Sequence, residues 1–133
     1  MKPQHKITEI ALRSWCISEY NLVNAFLIEG DTTAALIDTG CGIGDIASVV
    51  KSLTDKPVVM TGAMRPASAT SADGPYNLYQ AVCLASCDQA RGQGVMGLFS
   101  NTIYSGRDIQ KETNYKIDAF GQKTFGCLGY MQD

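Results

Sequence analysis

The chain predicts an α/β fold: a mixed, mainly parallel sheet built of βαβ units, with an N-terminal antiparallel hairpin at its edge. Three observations carry this expectation. The runs "AALIDTG", "PVVMTGAM" and "VMGLFS" are short and apolar, the pattern of strands buried on both faces. Two stretches of helical period separate them with short loops, as right-handed parallel βαβ units require. Ahead of them, residues 7–15 and 24–29 are rich in β-branched and aromatic residues and read as strands that extend the sheet antiparallel.

The elements follow in order. A turn at "EGDTT" returns the chain into "AALIDTG", and Gly40 ends that run. In "CGIGDIASVVKSLTDKP", Ile43, Ile46, Ala47, Val50 and Leu53 recur at helical spacing, and Pro57 stops the helix. After the strand "PVVMTGAM" comes the loop "RPASATSADGP", where Asp73 ahead of Pro75 makes a helix start. The second helix is expected over residues 76–90, with Leu78, Ala81, Val82 and Ala85 as its inner stripe and "RGQG" as its end. Beyond "VMGLFS", the segment "TIYSGRDIQKE" reads as a strand, and the tail is glycine-rich and aromatic. Tyr104, Tyr115, Phe120, Phe125 and Tyr130 there are either core filling or a sticky surface.

Composition narrows the function classes. A length of 133 residues predicts a single domain spanning 1–133. The net charge is −2 with Lys and Arg scattered singly, so no nucleic-acid footprint is expected. No apolar run approaches the roughly 18 residues of a membrane span, and "MKPQHKITEI" does not read as a signal peptide. A cytoplasmic protein that engages no membrane is the expectation. The 5 cysteines form no CxxC pair and His5 is the sole histidine, so reduced thiols, no metal and no cofactor are expected.

Residues 55–133 resemble the bacterial L-asparaginase family. The blocks "DKPVVMTGAMRP", "SADGPYNLYQAV", "RGQGVMG", "GRDIQK" and "FGCLGYMQD" carry the likeness, in order and at matching spacing. The resemblance implies an α/β fold and metal-free hydrolysis of the asparagine side-chain amide by a threonine nucleophile. It also implies that Lys111 is the lysine of a threonine–lysine–aspartate triad, and that the backbone at Ala63 lines the substrate pocket. The strand that carries the family's nucleophile and the "HGTDT" segment have no counterpart in this chain, and Gln110 stands where the family has a threonine.

Residues 1–57 resemble the start of the metallo-β-lactamase superfamily, through "NAFLIEGDTTAALIDTGCGIGDIASVVKSLTDKPV". The resemblance implies an HxHxDH metal motif after the next strand, where this chain has "TGAMRP"; Asp38 matches a buried aspartate below that metal site. Together the two resemblances imply a chimera joined near "LTDKPVV". The expectation that follows is a folded scaffold lacking a complete active site of either parent, with no native catalysis, a doubtful small-molecule substrate and homo-oligomeric assembly through its apolar tail. The alternative is a residual asparaginase-like amidohydrolase, in which Lys111 serves a substitute nucleophile, either Thr39 or Cys41. A thiol at a helix start, as in Cys41, is a nucleophile candidate by chemistry. A second alternative is a weak small-molecule or anion binder at the C-terminal ends of the strands; separately, "CGIGD" reads as a phosphate-cradling turn at a helix N-terminus, without a full GxGxxG or a P-loop lysine.

Overall fold

In the computed structural model, which describes residues 5–132, one sheet organises the chain. Its strands are β1 (His5–Ala11), β2 (Ser14–Glu19), β3 (Val23–Glu29), β4 (Ala34–Ile37), β5 (Val58–Thr61), β6 (Met96–Phe99), β7 (Thr102–Ser105) and β10 (Gly129–Tyr130). They lie in the order β1-β2-β3-β4-β5-β6-β7-β10. Two helices, α1 (Ile46–Leu53) and α2 (Gly74–Ser86), cross over between β4 and β5 and between β5 and β6. A small second sheet pairs β8 (Ile109–Lys111) with β9 (Phe120–Gln122).

The α/β class and the antiparallel N-terminal edge are those the sequence predicts. Parallel pairing joins β4 to β5 and β5 to β6, so it holds the centre of the sheet. Antiparallel pairs make up both flanks. The N-terminal flank is larger than a hairpin because the strand expected over residues 7–15 is two strands. Arg13 takes a left-handed φ of 55° and turns β1 into β2, and Ile17 and Glu19 of β2 face inward. "TIYSGRDIQKE" likewise divides, into β7 and β8. A two-residue turn joins β6 to β7, with Phe99 opposite Thr102. Its Ser100 and Asn101 have φ of 49° and 66°, the handedness that tight hairpins need.

Apolar side chains pack on both faces. Ile17, Ala25, Leu27, Leu36, Val50 and Val58 form one cluster, against which Ile46, Val49 and Leu53 of α1 pack. Val59, Ala81, Leu84, Ala90, Met96 and Leu98 form the other, beneath α2. The Asp45 carboxylate caps α1 by accepting the Ser48 N–H at 3.1 Å. Ile43, expected within that helix, lies before it and is exposed.

The inner stripe of α2 differs from the expected one. Asn77, Gln80, Ala81 and Leu84 are buried, while Leu78 and Val82 are 38% and 53% exposed. Asn77 can turn inward because its amide is fully engaged. It donates to the Gly62 carbonyl at 3.0 Å and to Asp73 at 3.2 Å, and accepts the Ser100 N–H at 3.2 Å. Those bonds rotate the helix relative to a purely apolar stripe. The helix also ends at Ser86, and a 3-10 turn (Asp88–Ala90) completes the segment expected to run to residue 90.

Candidate active site

At the C-terminal tips of the parallel strands the chain must leave the sheet, and in open α/β sheets ligands gather there. The tip of β4 turns at Asp38, whose φ of 67° is one that Asp tolerates better than most residues. Its N–H donates to the Thr61 carbonyl at 2.8 Å. Its carboxylate accepts the Thr39 N–H at 2.6 Å and the Gly40 N–H at 2.9 Å. Thr39 is thereby held at the strand tip, where it is exposed.

The tip of β5 is fastened in turn. The buried Thr61 hydroxyl donates to the Leu98 carbonyl at 2.9 Å, tying β5 to β6. The loop beyond it is stapled by Asp73, whose carboxylate accepts the N–H groups of Met64 and Arg65, each at 2.9 Å. Burial opposes ionisation of Asp73, yet those donors and the Asn77 amide outweigh it and hold the carboxyl below its ordinary range. Asp73 sits at the head of α2 as the sequence predicts, but its side chain ties down the preceding loop in place of capping the helix.

Lys111 arrives from the small second sheet. Lys111 pairs with Phe120 across β8 and β9. Phe120 stacks on Phe99 of β6 with ring centroids 3.9 Å apart, and its carbonyl accepts the Tyr104 hydroxyl at 2.8 Å. Ile109 lies flat on Gly97, where an added Cβ would stand 2.5 Å from its terminal methyl. The absence of a side chain at Gly97 is what lets β8 approach the main sheet.

A cavity of about 470 Å³ results, lined by Asp38, Thr39, Thr61, Ala63, Phe99 and Lys111, with Gly40, Met60, Gly62, Met64, Ile109 and Phe120 completing it. Three of the four residues singled out by sequence, Lys111, Thr39 and Ala63, therefore share one cavity. The fourth does not: Cys41 is exposed and lies outside that lining. Asp38 is no buried aspartate beneath a metal site; it is an exposed carboxylate at the mouth of the cavity.

The "CGIG" turn is also corrected as an anion cradle. The N–H groups of Cys41, Ile43 and Gly44 all donate to the Glu19 carboxylate, at 2.6, 3.0 and 2.5 Å. The chain's own buried anion occupies the turn. These donors, Gly44 first and then Cys41, hold the Glu19 carboxyl below its ordinary range, with His5 beside it at 3.8 Å. No local sequence signal marks Glu19 for this role, because its partners are more than twenty residues away. Among the described residues no three His, Cys, Asp or Glu side chains converge as a metal site, and no helix is long and apolar enough to cross a membrane.

Comparison with known proteins places these features in context. The family model described as "Asparaginase, N-terminal" matches residues 45–133. A glutaminase-asparaginase of Acinetobacter glutaminasificans is 50% identical over 78 residues, covering 59% of this chain and 23% of the relative. L-asparaginase 2-3 of Saccharomyces cerevisiae is 37% identical over 117 residues, covering 86% of this chain and 32% of the relative. Among solved structures, a probable cytoplasmic L-asparaginase from Campylobacter jejuni superposes with a TM-score of 0.58 at 49% identity, over 60% of this chain and 26% of that one. The chain thus spans about a quarter to a third of the length of these relatives. The family match begins ahead of residue 55, and the 117-residue alignment must draw on residues before it as well. These likenesses overturn the expectation of a scaffold with no native catalysis: relatives up to 50% identical are named as asparaginases and glutaminase-asparaginases.

Proposed function

Because the chain belongs to the asparaginase N-terminal family, we propose that it serves an asparaginase-like amidohydrolase reaction, hydrolysis of a carboxamide to a carboxylate and ammonia. The observation that carries this reading is the convergence of Thr39, Lys111 and Ala63 on one cavity at the strand tips. In the proposed step the Thr39 hydroxyl oxygen bonds to the amide carbonyl carbon and the Lys111 amine takes the hydroxyl proton. The carbon–nitrogen bond breaks as that proton passes to the leaving nitrogen, and ammonia departs. Water then attacks the acyl–Thr39 ester, giving the carboxylate and restoring the hydroxyl. Asp38 is a positioning residue, fixing the Thr39 backbone through its carboxylate.

Ammonia release from a panel of carboxamides tests this. General acid–base groups contribute about 10²–10⁴-fold, so Lys111→Ala is expected to lower turnover by at least about a hundredfold, and Thr39→Ala to abolish it. Turnover unchanged in both variants would refute the assignment.

We further propose that the segment ahead of the family match at residue 45 entered by recombination, which its likeness to the metallo-β-lactamase opening supports, and that residues 1–133 act as one folding unit. Self-association is proposed too, supported by the exposure of Tyr115, Phe125, Leu128 and Tyr130.

A further inference from the structure

One residue of the cavity lining, Ala63, is held at three points by a single element, the start of α2. The Gly62 carbonyl accepts the Asn77 side-chain N–H at 3.0 Å, and the Met64 N–H donates to the Asp73 carboxylate at 2.9 Å. In a planar trans peptide the C=O and the N–H point in opposite directions. The first bond therefore sets where the Ala63 N–H points, and the second sets where the Ala63 carbonyl points. Asn77 and Asp73 are themselves bonded at 3.2 Å, so both peptide planes are drawn toward one place. Ala63 turns its own N–H and carbonyl away from it, and neither has a hydrogen-bond partner among the described residues. The side chain is fixed too: it faces Gly74, where an added Cβ would stand 3.1 Å from the Ala63 Cβ.

The same Asn77 side chain reaches toward the other, apolar wall of the cavity, where Phe99 stacks on Phe120. Its oxygen accepts the Ser100 N–H at 3.2 Å, and the Ser100 hydroxyl donates to the Ile117 carbonyl at 3.1 Å. Ile117 leads into β9, whose Phe120 pairs with Lys111. One amide, 2% exposed, thus stands between the backbone at Ala63 and the strand pair that carries Lys111. A buried polar group with all its bonds made rigidifies what it touches.

We propose that Asn77 is a positioning residue for this cavity: with Asp73 and Gly74 it aims the free Ala63 N–H and carbonyl and sets them against Lys111. It touches no reacting atom and acts through Ala63. This rests on the amidohydrolase reading of the same cavity.

Turnover of asparagine and glutamine and thermal stability are measured side by side on the full chain in Asn77→Ala, Gly74→Ala and Leu84→Ala. Leu84 is buried on the same helix and lines no part of the cavity, so its variant reports what lost stability alone does. Misplacing a group by about 1 Å costs about a hundredfold in rate. Asn77→Ala is expected to lower kcat by about that factor, with a much smaller change in KM. Gly74→Ala, which makes Ala63 give by a few tenths of an ångström, is expected to lower kcat about tenfold. Leu84→Ala is expected to lower Tm at least as far as either and to leave kcat unchanged. Turnover that simply tracks Tm across the three variants would overturn the proposal. If Asn77→Ala does not fold, Gly74→Ala decides by the same comparison. If the parent chain turns over neither amide, the amidohydrolase reading fails and nuclear relaxation of the Ala63 N–H decides the inference alone. Its order parameter is then expected to drop from about 0.85 to below about 0.6 in Asn77→Ala and to hold in Leu84→Ala. An order parameter unchanged in Asn77→Ala overturns it.

Discussion

Single residues hold this site together through hydrogen bonds to backbone, more than through contacts with one another. Glu19 is the strongest case: it is buried, and it gathers the donors of Cys41, Ile43 and Gly44 into one carboxylate. Gln in its place keeps the shape but loses the charge, and leaves its own NH₂ group facing N–H donors. Glu19→Gln is expected to lower Tm and to increase hydrogen exchange at Ile43 and Gly44; unchanged exchange there would show the turn to be held otherwise. Glu29 makes a pH-dependent contribution at the opposite end of the strands. Its carboxylate accepts from Lys56 at 2.8 Å and from Arg13 at 3.3 Å, and Lys56 foremost, then Thr54 and Arg13, lower its pKa from 4.5 to about 2. A carboxyl depressed in the folded state stabilises above its unfolded value and loses that contribution as pH falls through the folded one. Stability is therefore expected to fall between pH 4.5 and 2, and Glu29→Gln to flatten that acid limb, as read from denaturation midpoints across pH.

At the scale of elements, the orientation of α2 separates sequence pattern from structure. Burial assigns energetic weight to Leu84 at 6% exposure and little to Val82 at 53%. Leu84→Ala is expected to cost about 2–5 kcal/mol, and Val82→Ala under about 1 kcal/mol, by chemical denaturation; the reverse order would restore the apolar-stripe reading. The three central strands and both helices are legible in the sequence because each is a short apolar run or a periodic stretch bounded by Gly or Pro. The turn at Arg13 is not, since nothing in "ALRSW" signals a left-handed residue. The buried face of α2 is not either, because its reason lies in partners for Asn77 at Gly62 and Ser100, far apart in the chain. Of the site, Lys111 and Ala63 are legible through a family resemblance, and Thr39 through its place at a strand tip. The apolar wall is not, because Phe99 and Phe120 meet only when β9 folds back over β6. Gly97→Ala is expected to push Ile109 outward and shift Lys111, lowering turnover more than stability.

The whole molecule is a sheet whose two faces are unequally covered. Phe26 and Ile28 of β3 remain exposed beside the exposed Leu78 and Val82 of α2, an apolar area that favours association. Light scattering is expected to report a mass above that of one 14.3 kDa chain, shifting toward the monomer in Phe26→Lys and Val82→Lys; a monomer throughout would remove self-association from the account. The central claim, that the strand-tip cavity performs acyl transfer through Thr39, is tested most directly by trapping the acyl group. After brief exposure to the p-nitrophenyl ester of phenylacetic acid and acid quenching, peptide mass mapping is expected to find the phenylacetyl group on Thr39. That label is expected to vanish in Lys111→Ala. An adduct on Cys41 alone, or a Thr39 adduct that persists without Lys111, would contradict it.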